Sequence, residues 1–521
     1  LRTRRALPFF LLAQFCLAQP NLDVVVEHAR REFNVPGIAV AIVKEGKVVL
    51  AKGYGVRKLG EDAPVTPQTL FGIASNTKAF TAAALAMLVD EGKIRWDDPV
   101  IDHLPSFQMH DPYVTRELTV RDLLVHRSGL GLGAGDLMFW PQTDLTRNEV
   151  FRRIRFLKPA SSFRSRYAYD NILYLVAGQI IPAVTGISWD DFVRDRIFGP
   201  AGMTLSNTSV RRNPSGGDVA TPHAPEAGKP VPISPSVFDN NAPCGAINSC
   251  VADMAKWITI QLNAGSLGNG KRLFSAERSR EMWSAQTVMP IGSPPPGSHP
   301  ALRNLQPNFL AYGLGWVLSD YRGHKTVSHT GGLAGYVSRV MLVPDLRLGI
   351  VVLTNQEARG GYDSIIATVL DYYLQAPPSD WVSAFADLAR RRETEAEGTI
   401  QKTASARSTS SRPSLSPGAY AGRYRDSWYG DMVIEERAGK LAIRFTHSPD
   451  LSGRLEHWQY DTFIARWAKR TLLADAYVTF SLKPDGSIDE VRMAPVSPLT
   501  DFSYDFQDLR FKPVALDAKP Y

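Results

Sequence analysis

The chain has 521 residues, 44% hydrophobic and 21% charged, which excludes a disordered chain and exceeds one ordinary core, so two domains are expected. Its net charge of +7 overstates its basicity, because Arg2, Arg4 and Arg5 supply three of those charges. With no lysine–arginine block interleaved with aromatics, a nucleic-acid-binding surface is excluded, and without His-x-x-x-His or Cys-x-x-Cys spacing neither a metal nor another cofactor has support.

The arginines of residues 1–5 precede an apolar run, A-L-P-F-F-L-L-A-Q-F-C-L-A (residues 6–18), too short to span a bilayer comfortably. This pattern predicts a signal peptide over residues 1–18 with cleavage after Ala18, and hence an exported protein, periplasmic or secreted. Arg4-Arg5 points weakly to twin-arginine export, and Phe15 before Cys16 argues against a lipoprotein site. No later stretch reads as a transmembrane anchor. Residues 36–55 read as a β-hairpin turning at Glu45-Gly46. The stretch F-G-I-A-S-N-T-K-A-F-T-A-A-A-L-A-M-L-V-D-E-G follows and reads as a helix that stops at Gly92. Ser75 and Lys78, three apart on one helical face, make a nucleophile and an amine able to take its proton.

Residues 95–300 mix helices with Pro-, Gly- and Ser-rich turns. Within them stands Tyr169-Asp170-Asn171, where a phenol beside a lysine amine can share its proton and Asn171 can hold Lys78 or a substrate amide. Cys244 and Cys250 admit either a disulfide or two buried thiols. Strands are expected at residues 312–318, 325–329, 335–342 and 348–354, then an apolar helix at 362–374. One of these strands ends in His329-Thr330-Gly331-Gly332, where glycines let a substrate lie along the strand edge and the Gly332 N–H can join that of Ser75 as an oxyanion hole. Strands at both ends with helices between predict an α/β layered domain on an antiparallel sheet. Residues 384–406 are charged and partly helical, and 407–418 are a Ser- and Pro-rich linker. Short alternating strands from Tyr420 onward predict a small β-barrel whose Trp428, Tyr429, Trp458, Phe463 and Trp467 are core residues.

Taken together and in order, Ser75/Lys78, Tyr169/Asn171 and His329/Thr330/Gly331 resemble the S-x-x-K, Y-x-N and K-T-G or H-T-G motifs of the serine β-lactamase and penicillin-binding-protein superfamily. The similarity is to the branch of class C β-lactamases, D-amino-acid peptidases and family VIII esterases. Supporting stretches are T-V-R-D-L-L-V-H-R-S-G-L, with His126 as a packing residue, Y-G-L-G-W and V-V-L-T-N. The resemblance covers residues 22–375. After a helical and Ser-Pro-rich linker (376–416), residues 417–515 resemble the lipocalin-like barrel appended to such hydrolases. It implies catalysis by Ser75, Lys78 and Tyr169 through an acyl-serine, with Asn171, His329, Thr330, Gly331 and Gly332 around the substrate. An α/β-hydrolase is excluded because no G-x-S-x-G elbow is present.

Three functions stay open on these grounds: hydrolysis of esters, amides or D-amino-acid peptides; a β-lactamase or D,D-peptidase acting on β-lactams or cell-wall peptides; and a penicillin-binding receptor that acylates and stalls. The partner expected is a small-molecule ester, peptide or β-lactam, with oligomerisation possible through the barrel. Histidine in place of lysine at 329 favours the first, because a neutral ring gives a substrate carboxylate no fixed cation.

Overall fold

The computed structural model describes residues 21–514 apart from 269, and the expected leader lies outside them. Glu45 and Gly46 both have positive φ, the conformation that a two-residue hairpin turn demands, and they join the strands Gly37–Lys44 and Lys47–Gly55. The first of these, G-I-A-V-A-I-V-K, is apolar throughout because both its faces are covered. It lies inside an eight-stranded antiparallel sheet, paired with Leu348–Thr354, which was drawn from the other end of the sequence. The sheet continues through Tyr336–Val343, His324–Leu333, Val317–Tyr321 and Leu310–Tyr312 to Thr287–Val288 at its edge.

Side chains alternate across this sheet. Ile38, Val40 and Ile42 pack against the helices Leu22–Glu32 and Arg359–Tyr373. Ala39, Ala41 and Val43 face the opposite layer, which holds the helices Thr77–Asp90 and Val251–Leu262. The layered α/β domain expected from the sequence is the one observed.

One strand is corrected. Residues 312–318 form no single strand: they span the end of Leu310–Tyr312, the turn at 313–316 and the start of Val317–Tyr321, paired as a hairpin. Gly315 has a φ of +79°, and a Cβ there would stand 2.9 Å from the Lys78 carbonyl oxygen, so this turn seats itself against the Ser75–Lys78 segment.

The charged stretch after the first domain is one continuous helix, Trp381–Ser405. Asp380 caps it by accepting from Ser383 N at 3.0 Å, and Trp381 Nε1 donates to the buried Asp371 Oδ2 at 2.8 Å. The residues read as a Ser- and Pro-rich linker are tied to the barrel. The Arg407 guanidinium lies 4.7 Å over the Trp458 ring, and Ser408 and Ser414 donate backbone N–H groups to Gln459 and Asp461.

The barrel is an eight-stranded antiparallel sheet running from Gly422–Asp426 to Ile488–Pro495, with Lys512–Pro513 beside the first of these. Val491 and Phe511 exchange backbone hydrogen bonds of 2.8 and 3.1 Å, which nearly closes it. Trp428, Tyr429, Phe463 and Trp467 fill its interior as expected. Trp458 does not. It alternates with the inward Leu455 on the Ser452–Gln459 strand and so turns outward, half-buried against Arg407 and Tyr477. After Pro495 the chain leaves the barrel wall, and residues 501–505 cross to the first domain.

Candidate active site

Ser75 sits in a 3-10 turn, Ala74–Asn76, that leads into the helix Thr77–Asp90. Ala74 holds a left-handed φ of +50°, a conformation costly for a residue with a Cβ, which the surrounding contacts impose. Ile73 N donates to Ile247 O at 2.9 Å, and Asn76 Nδ2 donates to Ser338 Oγ at 2.8 Å. The helix that follows is apolar on every side and runs through the interior of the domain, which carries Lys78 out of contact with water.

Lys78 Nζ lies 2.9 Å from Ser75 Oγ, 2.7 Å from Asn171 Oδ1 and 3.2 Å from the Cys244 carbonyl oxygen. Two of these neighbours accept only, so a neutral amine gives each of them one N–H and keeps its lone pair for the Ser75 O–H. Burial lowers the lysine below its ordinary value of 10.5, against the opposing pull of nearby acidic groups. In its neutral form the amine stands where it can accept the serine proton.

The Tyr169 phenol lines the same cavity as Ser75, and burial raises the phenol well above its ordinary value of 10.0, so it stays protonated. Its ring packs 4.3 Å from that of His126, which is itself 4.4 Å from the Tyr312 ring. His126 is buried, its Nδ1 accepts from Asp170 N at 3.2 Å, and burial pushes its pKa down, so it packs against Tyr169 as a neutral ring. Asn171 precedes the helix Ile172–Thr185 and turns its amide toward Lys78.

His329, Thr330, Gly331 and Gly332 lie on the His324–Leu333 strand beside Ser75. Register with Val317–Tyr321 ends at Ser328, whereas register with Tyr336–Val343 runs on to Leu333. One edge of residues 329–333 is thus left outside the sheet register. Gly331 is the glycine that close approach requires, since a Cβ there would stand 2.2 Å from Ile73 O and 2.5 Å from Ser338 Oγ. Gly332 has open space around it. Gly331→Ala is accordingly expected to cost about 1–3 kcal/mol and to displace Ser75, whereas Gly332→Ala keeps the wild-type melting temperature. Thermal unfolding read beside kcat/KM checks both.

His329 is neutral. Its Nδ1 lies 2.6 Å from Thr330 O and must carry the proton, so its Nε2 accepts from the Tyr312 hydroxyl at 2.8 Å. Burial drives its pKa down to about 3. Cys244 and Cys250 are buried free thiols, and burial pushes the Cys244 thiol up to about 12, which keeps it from competing as a nucleophile. Among the described residues no three His, Cys, Asp or Glu side chains converge on a metal position.

Ser75, Tyr169, Asn171, His329, Thr330 and Gly332 all line one cavity of about 290 Å³, and Lys78 and Gly331 lie directly behind its wall. Much of the rest of its lining is apolar, including Phe139, Trp140, Phe238, Met289 and Leu333. Arg359 and Asp501 are the charged residues among those that line it. Several members escape the motif reading. Asp136 accepts from Asn171 Nδ2 at 2.7 Å behind the cavity wall, and Asp501, Phe502 and Ser503 enter from the barrel's end of the chain. Asp136 had a signal of its own, a lone carboxylate in the apolar and glycine-rich run G-L-G-A-G-D-L-M-F-W.

The arrangement suits acyl transfer: a serine with an amine at hydrogen-bond distance, a protonated phenol beside it, and an open strand edge. Comparison with known proteins agrees. The Beta-lactamase family profile matches residues 22–374, and that of a domain of unknown function (DUF3471) matches 406–513. Unguisins hydrolase ungD' of Aspergillus campestris is 30% identical over 437 residues, covering 79% of this chain and 77% of its own. Unguisins hydrolase ungD of Aspergillus violaceofuscus is 28% identical over 497 residues, covering 88% and 85%. Among solved structures, the octameric penicillin-binding protein homologue from Pyrococcus abyssi shares the fold at a TM-score of 0.59 and 23% identity, over 94% of this chain and 98% of that one. With the three motifs assembled around one cavity and the family profile spanning the whole layered domain, the chain belongs to the Beta-lactamase family of serine-hydrolase type.

Proposed function

We propose that the protein is an exported serine hydrolase that cleaves esters or amides, D-amino-acid peptides among them, through an acyl-Ser75 intermediate. The observation that carries this reading is the triple contact of Lys78 Nζ with Ser75, Asn171 and the Cys244 carbonyl, which leaves a neutral amine one lone pair for the serine proton. Ser75 Oγ attacks the substrate carbonyl carbon as its proton passes to Lys78. The oxyanion is held by the backbone N–H groups of Ser75 and Gly332. The Tyr169 O–H protonates the leaving group, and the Lys78 ammonium returns a proton to Tyr169. Water then attacks the acyl carbon with the same groups acting in reverse. A substrate in extended form has the free edge of residues 329–333 to pair with, and apolar side chains around its acyl group. Intact-mass detection of an adduct on Ser75 across esters, D-peptides and β-lactams tests the proposal. Loss of the adduct in Ser75→Ala supports it, and turnover that survives in Ser75→Ala ends it.

Substrate preference follows from His329. With a neutral ring at this position, the wild type is expected to discriminate little between carboxylate-bearing and neutral substrates, and to show no inflection from His329 between pH 5 and 8. His329→Lys is expected to raise the ratio of kcat/KM for carboxylate-bearing over neutral substrates by about tenfold. Paired pH profiles check this, and matching ratios in the two proteins refute it. The β-lactamase or D,D-peptidase reading retains one specific support, the Arg359 guanidinium on the cavity lining, which gives a carboxylate another cation. Turnover of a chromogenic cephalosporin against a nitrophenyl ester separates the two.

A further inference from the structure

The wall of the active-site cavity is built partly by a segment that follows the last long barrel strand. Asp501, Phe502 and Ser503 line it, and the Phe502 ring meets the Tyr169 ring edge-on at 5.9 Å. Ser503 Oγ donates to Asp136 Oδ2 at 2.8 Å, and the same oxygen accepts from Asn171 Nδ2 at 2.7 Å. Asp505 adds a second hold on this loop, accepting from Gly135 N at 2.6 Å and Leu137 N at 3.1 Å. Ser503 is buried, and Asp136 and Asp505 are fully buried.

The chain of contacts has a direction. An amide side chain offers an acceptor at one end and donors at the other. Because Asp136 takes the Nδ2 end of Asn171, the Oδ1 end is fixed on Lys78 at 2.7 Å. Turned the other way, the amide would set N–H groups against the lysine amine and a carbonyl oxygen against a carboxyl oxygen. Ser503 in turn limits where the Asp136 carboxyl can point, since its other oxygen, Oδ1, is buried with no hydrogen-bond partner among the described residues.

We propose that Asp136 is a positioning residue for the Ser75–Lys78 pair, acting through Asn171, and that Ser503 from the barrel's end of the chain holds it in place. The barrel is then part of the catalytic apparatus and not only an appended module. The proposal rests on Ser75 being the acylated residue. Asp136 faces Lys78, Asp501 and Asp505, while Lys78 faces Asp170, Cys244, His126 and His329 as well. Burial pushes the Asp136 carboxyl up to about 8, and the hydrogen bonds from Asn171 and Ser503 restrain that rise. In its ionised form Asp136 favours the ammonium form of Lys78.

The full-length chain tests this with Ser503→Ala, Asp136→Asn and Asp136→Ala, each checked by thermal unfolding and by stoichiometric labelling of Ser75 with a fluorophosphonate. Ser503→Ala leaves the two Asp505 contacts in place and is expected to lower kcat about tenfold with KM nearly unchanged. Asp136→Ala is expected to lower kcat by about a hundredfold. Asp136→Asn removes the carboxyl that, once ionised above about pH 8, favours the ammonium, so the acid limb of its pH–rate profile is expected to move to lower pH. If Asp136→Ala fails to fold, the other two carry the test. Unchanged kcat in Ser503→Ala with an unmoved acid limb in Asp136→Asn overturns the proposal. Ser75→Ala run alongside separates the two claims, because turnover surviving there removes the serine reading itself.

Discussion

Lys78→Met is expected to fold and to acylate about 10⁴-fold or more slowly than the wild type. Methionine keeps the apolar stem and removes only the amine. Losing that amine deprives Asn171 Oδ1 and the Cys244 carbonyl of a donor, at about 1–3 kcal/mol. It also relieves the cost of holding an ionisable group in a fully buried position, and the two changes oppose each other. Stability therefore stays near that of the wild type while the amine hydrogen-bonded to Ser75 Oγ is gone. The pH dependence has a definite sign. In the proposed mechanism acylation needs the neutral amine, so the wild-type rate is expected to be present above the lysine's pKa, which burial places below 10.5, and to be lost as pH falls through it. Lys78→Met lacks that limb altogether. Stopped-flow release of nitrophenol, with near-ultraviolet circular dichroism as the check on folding, measures both. A variant that acylates within about tenfold of wild type would mean another group takes the serine proton.

How much of this site the sequence revealed depends on how local each contact is. Ser75 and Lys78 are three residues apart at the start of one helix, so helical geometry alone predicts their contact. Asn171 and His329 come from distant segments, and only the ordered set of motifs placed them beside Ser75. Ser503 carried no signal, and Asp136 only that of a lone carboxylate in an apolar, glycine-rich run, outside any of the three motifs. The two residues are 367 residues apart, and their hydrogen bond exists because the segment after the barrel folds back over the first domain. Short motifs record chemistry, whereas docking between two cores depends on the shapes of both. The same distinction explains residues 312–318. Their composition is that of a strand, but Gly315 adopts a left-handed turn to approach the Lys78 backbone, a tertiary demand that local propensity does not express. Trp458 shows it again, since an aromatic in a barrel reads as core until strand phase turns it outward over Arg407.

Tyr169→Phe is expected to separate substrates by their leaving groups. The phenol is held protonated by burial, so in the proposed mechanism it gives a proton at neutral pH before it takes one. An amide nitrogen must gain a proton before its bond to carbon breaks, whereas a nitrophenolate departs unaided. Removing the hydroxyl is thus expected to lower kcat/KM on amides by about 10²–10⁴-fold. On nitrophenyl esters the loss is expected to be about tenfold, reflecting only the missing hydroxyl beside Ser75. The ring itself remains, so its contacts with His126 and Phe502 persist and the cavity keeps its shape. The measurement is kcat/KM for an ester and an amide of one acyl group, compared in wild type and variant. Equal losses on both would assign Tyr169 to the serine alone and leave the Lys78 ammonium as donor to the leaving group. A loss confined to the amide would place the phenol at the departing nitrogen, on the side of the cavity that the segment after the barrel completes.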